Sequence, residues 1–175
     1  NVVTVSGVTL PITIVNTTSL FSTGLSGATG SGSTAANSVF LGINAGNNST
    51  DVDNSNFFGN NAGNGSNVAR DSNFFGYYAG YQLSGSTYSN FFGREAGYQA
   101  TNAFYSNYFG IQAGWNASGS SQSNFFGQQA GYDAKNSRFS NYFGLASGSR
   151  NVSVDYTNAF GFYAGYALTG ASYSN

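Results

Sequence analysis

The 175-residue chain has a formal net charge of −1, and charged residues make up 6% of it, where about a quarter is usual. Its five basic residues form no patch, which argues against nucleic acid as a partner, and no apolar run approaches the roughly 20 residues needed for membrane insertion. With no histidine and no cysteine, it cannot build the common nucleophile–base pairs of enzymes. We therefore predict no enzyme, no catalytic residue and no cofactor.

The first 20 residues are predicted to form a strand that serves either as a cap or as an assembly arm. Apolar and other residues alternate from Val8 to Ile14, which is the period of a half-buried strand. Pro11 confines that strand to a sheet edge or a bulge. Residues 21–37 are rich in glycine, serine and threonine and are predicted to be a connection.

From residue 38 onward the chain consists of a 17-residue unit that repeats without insertion. Each unit opens with Ser-Asn-Phe-Phe or a close variant, followed by Gly-x-x-Ala-Gly, in which Ser147 replaces the alanine once. With the opening residue as position 1, the eight units begin at Ser38, Ser55, Ser72, Ser89, Ser106, Ser123, Ser140 and Thr157. A ninth opens at Ser174, so we expect the array to continue or another subunit to complete the last coil.

The unit predicts an all-β fold, a parallel β-solenoid or β-roll with one 17-residue coil per repeat over residues 38–175. Helical repeats need about 33 residues or more, and glycine inside a helix costs about 1 kcal/mol. Positions 1–4 are predicted as the first strand and the glycine cassette as a turn. A second strand is expected somewhere between positions 10 and 15.

Residues that recur at one position form ladders when the coils stack in register. Position 4 is predicted to face the interior because it is the least varied bulky position: Leu41, Phe58, Phe75, Phe92, Phe109, Phe126, Phe143 and Phe160. Position 2 points the same way, and its amides are predicted to hydrogen-bond from coil to coil. They belong to Asn56, Asn73, Asn90, Asn107, Asn124, Asn141 and Asn158.

The aromatic residues of position 3 would then lie on the opposite face of the strand. A continuous exposed aromatic stripe promotes association, so we expect it to pack against identical chains in a homo-oligomer, most simply a trimer. The alternative is a bulge that lets both faces serve one wider monomeric core. Position 10 carries another aromatic run, which forms either a packing ladder, the preferred interpretation, or a stacking platform for sugars or a partner surface. Its members are Tyr81, Tyr98, Trp115 and Tyr132.

The acidic residues occupy five different repeat positions, unlike the fixed aspartates of calcium-binding β-rolls, so we predict no metal array. Asp51 and Asp53 alone would offer a chance cation contact. Position 16 holds opposite charges in adjacent coils, which predicts ion pairs of Asp53 with Arg70 and of Arg138 with Asp155.

The Ser-Asn-Phe-Phe-Gly-x-x-Ala pattern resembles the coils of trimeric autotransporter adhesin heads and the repeats of bacterial surface fibres and phage tail fibres. The resemblance covers residues 38–175 and implies a left-handed roll, trimerisation, and a role in adhesion or as a fibre shaft. We expect a structural subunit of an extracellular filament or fibre, on a cell or virion surface, that self-assembles through stacked coils and its N-terminal arm. The alternative is a receptor- or glycan-binding head or shaft of a bacterial adhesin or phage tail fibre, with surface glycans as partners.

Overall fold

The computed structural model describes residues 2–5, 8–11 and 38–173, which contain strands, bridges and turns and no helix. Strand β1 (Val2–Val5) pairs antiparallel with β2 (Val8–Pro11) in a two-stranded sheet. The strand predicted from Val8 is therefore confirmed as far as Pro11, while its extension to Ile14 and the connection at 21–37 lie outside the described residues. The role of the first 20 residues as cap or arm stays a prediction.

The other eight strands have three residues each and form one parallel sheet in chain order. They are β3 (Val39–Leu41), β4 (Asn56–Phe58), β5 (Asn73–Phe75), β6 (Asn90–Phe92), β7 (Asn107–Phe109), β8 (Asn124–Phe126), β9 (Asn141–Phe143) and β10 (Asn158–Phe160). Every residue pairs with the one 17 positions on, as Asn73 does with Asn90. The predicted parallel β-solenoid with 17-residue coils is confirmed.

The opposite side of each coil carries single bridges in place of the predicted second strand. Position 13 forms one parallel bridge per coil, as between Ser84 and Thr101 and between Thr101 and Ser118. The residues that flank Thr101 explain the short pairing, because Gln99 (φ 53°) and Asn102 (φ 52°) have left-handed backbone. A left-handed residue turns the chain, so an extended run cannot form between two of them.

Left-handed backbone recurs at positions 7, 11, 14 and 17 and makes the corners of the coil. In one coil these are Glu95 (φ 59°), Gln99 (φ 53°), Asn102 (φ 52°) and Tyr105 (φ 55°), none of them glycine. Such a conformation costs a non-glycine residue on the order of 1 kcal/mol. The coil therefore depends on its stacked neighbours, whose hydrogen bonds and buried rings offset this cost.

The interior column of the solenoid is position 3, so the prediction that position 4 lies inside is wrong. Six consecutive rings of position 3 are fully buried: Phe57, Phe74, Phe91, Tyr108, Phe125 and Tyr142. Neighbouring rings stack along the axis, with centroids 4.6 Å apart for Phe57 and Phe74, except that Phe91 and Tyr108 meet edge to face. A strand of three residues turns one side chain inward and two outward, and the two adjacent phenylalanines of the repeat give no sign of which is which.

Small residues around each ring show why one aromatic column fills the coil. The Phe91 ring packs in a core with Ala96, Ala100 and Ala103, all fully buried. Glycine at position 9 lies against the ring face, since a Cβ on Gly97 would stand 2.3 Å from the Phe91 Cδ1 atom. Positions 8 and 9, which are alanine or serine and glycine in every coil, are therefore the signal that the ring of position 3 needs room.

The opening serine of each coil is buried and hydrogen-bonded in two directions. The Ser89 hydroxyl donates to the carbonyl of Ala103 across the same coil (2.6 Å). Its oxygen also accepts from the backbone N–H of Ser106 in the next coil (3.0 Å). These two hydrogen bonds satisfy buried polar groups that would be costly to leave unpaired. They explain why a hydroxyl residue opens every unit.

Candidate functional site

The phenylalanines of position 4 form a continuous stacked ladder on the outside of the parallel sheet. Ring centroids are 4.6 Å apart for Phe75 and Phe92 and 4.8 Å for Phe92 and Phe109, with planes within 5°. Stacking continues to Phe160, which is 67% exposed, while the inner members are half-buried. The position-3 rings are buried inside the single chain, so the expectation that they form an exposed stripe packed against identical chains is wrong. Since the position-4 rings stay outside the core, the alternative of one wider monomeric core is wrong as well.

The asparagines of position 2 lie beside that ladder on the same outer side. Each amide Nδ2 donates to the Oδ1 of the next asparagine, at 2.8 Å from Asn56 to Asn73 and 2.7 Å from Asn90 to Asn107. The pattern continues through Asn141, which donates to Asn158 (2.8 Å). The structure thus forms the predicted amide ladder, but half-exposed and not in the core. We call the surface of positions 2 and 4 from Asn56 to Phe160 the Asn/Phe face.

The rings of position 10 stack on one another at the surface, outside the core. Ring centroids are 5.1 Å apart for Tyr81 and Tyr98, 5.8 Å for Tyr98 and Trp115, and 4.8 Å for Trp115 and Tyr132. They line an open cleft of about 520 Å³ to which Tyr78 also contributes. Burial raises the pKa of the Tyr98 hydroxyl, with the nearby Tyr81 and Glu95 adding to the effect. We call these four rings the position-10 ladder.

Position 17 supplies a further surface ladder that the sequence analysis missed. Tyr88 stacks on Tyr105 with centroids 5.0 Å apart, and Tyr156 stacks between Phe139 (4.8 Å) and Tyr173 (4.9 Å). All five rings are exposed. Recurrence at a spacing of 17 was the available signal, because any residue type that recurs in register forms a column.

Ion pairs follow the coil register only in part. Arg138 pairs with Asp155 as predicted, with Nη2 2.7 Å from Oδ2. Burial opposes ionisation of Asp155, but hydrogen bonds from the Arg138 side chain and backbone outweigh it and lower the pKa of this carboxyl. Arg70, in contrast, pairs with Asp51, two positions away from the expected Asp53. A long guanidinium side chain reaches either carboxylate, so register alone does not choose between them.

Within residues 2–5, 8–11 and 38–173, no three potential metal ligands cluster, and no helix is long and apolar enough to cross a membrane. Comparisons with protein-family models, curated proteins and solved structures found no match to this chain. Function is therefore argued from the surfaces that the coils present.

Proposed function

We propose that the protein is a structural subunit of an extracellular filament or fibre, in which coils of one copy stack on coils of another. The observation that carries this proposal is the identical backbone pairing of successive coils. Gly93 N–H donates to the carbonyl of Phe75, and Gly110 N–H donates to that of Phe92, both at 2.8 Å. Because every coil offers its neighbour the same donors and acceptors, a coil or strand from another copy can continue the stack.

In this proposal, the coil that begins at Thr157 accepts such a strand. A groove of about 530 Å³ lies over it, and its lining is mainly apolar, with Ala159, Phe160 and Leu168. Position 3 is alanine here, where the coils before it have phenylalanine or tyrosine, so the buried ring column is interrupted. An apolar side chain from an added strand would fill that space.

The donor in this proposal is the N-terminal segment of another copy. Strand β1 contains three valines, and β-branched residues favour extended backbone. Strand addition would supply main-chain hydrogen bonds, while the groove at Ala159 would select the side chain. In the competing arrangement, residues 1–20 fold back on their own first coil as a cap.

The Asn/Phe face supports lateral association. Its phenylalanine ladder is an apolar stripe along seven of the eight strands, β4 to β10, and partly exposed rings gain stability when a partner covers them. Three copies that turn these faces toward a common axis would bury the three stripes together. We therefore propose a homotrimeric, left-handed roll, the arrangement that the resemblance to adhesin heads implies.

A second candidate function is a receptor- or glycan-binding head or shaft on a bacterial or virion surface. The position-10 ladder favours it, because a cleft lined by Tyr78, Tyr98 and Trp115 offers both ring edges and hydroxyl groups to a ligand. Adhesion and filament formation are compatible, since stacked copies would multiply any weak site along the fibre.

Electron microscopy of three variants tests the filament proposal. Deletion of residues 1–20 and Ala159→Glu, which puts a charge into the acceptor groove, should both abolish long filaments. The matched control is Ala167→Glu on an exposed corner of the same coil, and it should leave filaments intact. Circular dichroism and melting curves would establish that each solenoid is folded. Unchanged filaments from both the deletion and Ala159→Glu would refute the proposed arm-and-groove contact.

A further inference from the structure

Beyond the C-terminal end of the position-10 ladder, one coil has no aromatic residue at position 10. The rings of the ladder run to Tyr132, then comes Ser149, and a ring returns in the next coil at Tyr166. The Ser149 hydroxyl donates to the backbone carbonyl of Gln129 (2.5 Å), which holds the small side chain down against the coil. The folded surface therefore has a gap at Ser149, with one aromatic ring on either side of it along the axis of the solenoid.

A second small residue widens the gap within the same coil. Position 7 is Ala146 here, whereas the coils before and after it have Gln129 and Tyr163. The resulting cavity has a volume of about 220 Å³, and Tyr132 and Tyr166 both line it. Two coil steps separate these tyrosines, which corresponds to about 10 Å.

That spacing suits one inserted six-membered ring. Trp115 and Tyr132 stack with centroids 4.8 Å apart, so a ring halfway between Tyr132 and Tyr166 would repeat the spacing of the ladder. One face of Tyr132 is covered by Trp115, and the other faces the gap. Aromatic faces attract both the C–H groups of a pyranose and other aromatic rings. The two tyrosines alone therefore do not distinguish a sugar from an aromatic side chain, whereas a nearby charged residue can.

Arg150 supplies that charge at the edge of the cavity. The other four basic residues each pair with a carboxylate, but over the described part of the chain Arg150 has none within ion-pair distance. Its guanidinium carbon lies over the Tyr166 ring, 5.9 Å from the ring centre, so Arg150 borders the space next to that ring. Asp133, at the same repeat position one coil earlier, is engaged by Asn116 Nδ2 (2.8 Å) and Lys135 Nζ (3.5 Å).

We propose that the gap at Ser149 binds one sugar ring that carries a carboxylate, a hexuronate unit of an acidic polysaccharide. The pyranose would lie between Tyr132 and Tyr166, and its carboxylate would accept hydrogen bonds from the Arg150 guanidinium. A partner's aromatic side chain would fit between the rings but would leave Arg150 without an anion. The site lies within one chain and does not depend on filament assembly.

Binding of galacturonate trimer to the purified full chain, measured by calorimetry and ligand-observed NMR, tests this inference. Ser149→Tyr completes the ladder and should abolish binding. Its control, Asn64→Tyr, adds a ring next to Tyr81 at the other end of the ladder and should bind like the wild type. Failure of the wild type to bind the trimer, or equal binding by Ser149→Tyr, would overturn the site.

The contribution of the charge is tested separately. Arg150→Gln should weaken galacturonate binding about tenfold or more, the usual effect of losing a charge-assisted hydrogen bond. The control is Arg70→Gln, which removes a paired arginine several coils away and should have no effect. Equal affinity of the wild type for glucose and galacturonate trimers would refute the acidic-sugar assignment. Binding of N-acetyltyrosine amide in place of either sugar would show that the gap accepts an aromatic side chain instead.

Discussion

Phe91 and Phe92 are neighbours in the chain, yet Phe91 is fully buried at the centre of the solenoid while Phe92 stacks between Phe75 and Phe109 on its outer face. The repeat thus uses one phenylalanine for the core and the next for the surface. This division sets the orientation of every coil and creates the Asn/Phe face from which lateral association is proposed.

Alanine substitution should separate these two roles. Phe91→Ala leaves a cavity in the ring column, and we expect it to lower the free energy of unfolding by about 3–5 kcal/mol. Phe92→Ala removes a half-buried ring and should cost no more than about 2 kcal/mol. Denaturant titrations of the two variants under conditions that keep the protein dissociated would measure the difference. Equal losses would contradict the orientation of the strand.

Substitution of two glycines tests how closely the coils approach. A Cβ on Gly93 (φ 137°) would lie 2.4 Å from the carbonyl oxygen of Gly110 in the next coil, so Gly93→Ala should prevent stacking at that point. Gly65→Ala is the control, because the nearest atom would be 3.4 Å away and other coils have non-glycine residues at position 11. The Gly65→Ala substitution should lower the free energy of unfolding by about 1 kcal/mol. Melting temperatures would report both, and a Gly93→Ala protein as stable as Gly65→Ala would exclude the close approach.

The period of 17 was enough to predict the solenoid, its register and the amide ladder, because stacking in register follows from spacing alone. Spacing could not orient the strand. Phe91 is the buried ring, and not Phe92, because Gly97 and Ala96 leave space for it. This packing joins residues on different parts of the coil, so the spacing of the repeat does not show it. The second strand was mispredicted for a similar reason, since Gln99 and Asn102 adopt left-handed backbone without being glycine.

The two tyrosines of the buried column should respond differently to loss of their hydroxyl. The Tyr108 hydroxyl donates to the carbonyl of Ser120 (3.3 Å), and burial raises its pKa. The buried Tyr142 hydroxyl has no hydrogen-bond partner among the described residues. We expect Tyr108→Phe to destabilise by about 1 kcal/mol and Tyr142→Phe to be neutral or stabilising, as measured by denaturant titration. A larger loss from Tyr142→Phe than from Tyr108→Phe would contradict this assignment.

The Arg138–Asp155 pair predicts a dependence of stability on acid. The pKa of Asp155 is lowered in the folded state, so its contribution is fully present above the ordinary value of 3.8 and is lost as the pH falls through the lowered pKa. Melting temperatures of the wild type should therefore drop more steeply below pH 4 than those of Asp155→Asn. Parallel curves for the two proteins would show that this pair does not stabilise the fold.

Cryo-electron microscopy of the purified full chain tests most directly whether the coils of one copy continue those of another. The prediction is long threads with strand layers about 4.8 Å apart along the thread axis and a subunit repeat of roughly 40 Å, the height of eight coils. Adjacent subunits should be joined through the groove at Ala159. Uniform particles one solenoid long at every protein concentration, or threads in which the strands run along the axis, would contradict the proposal.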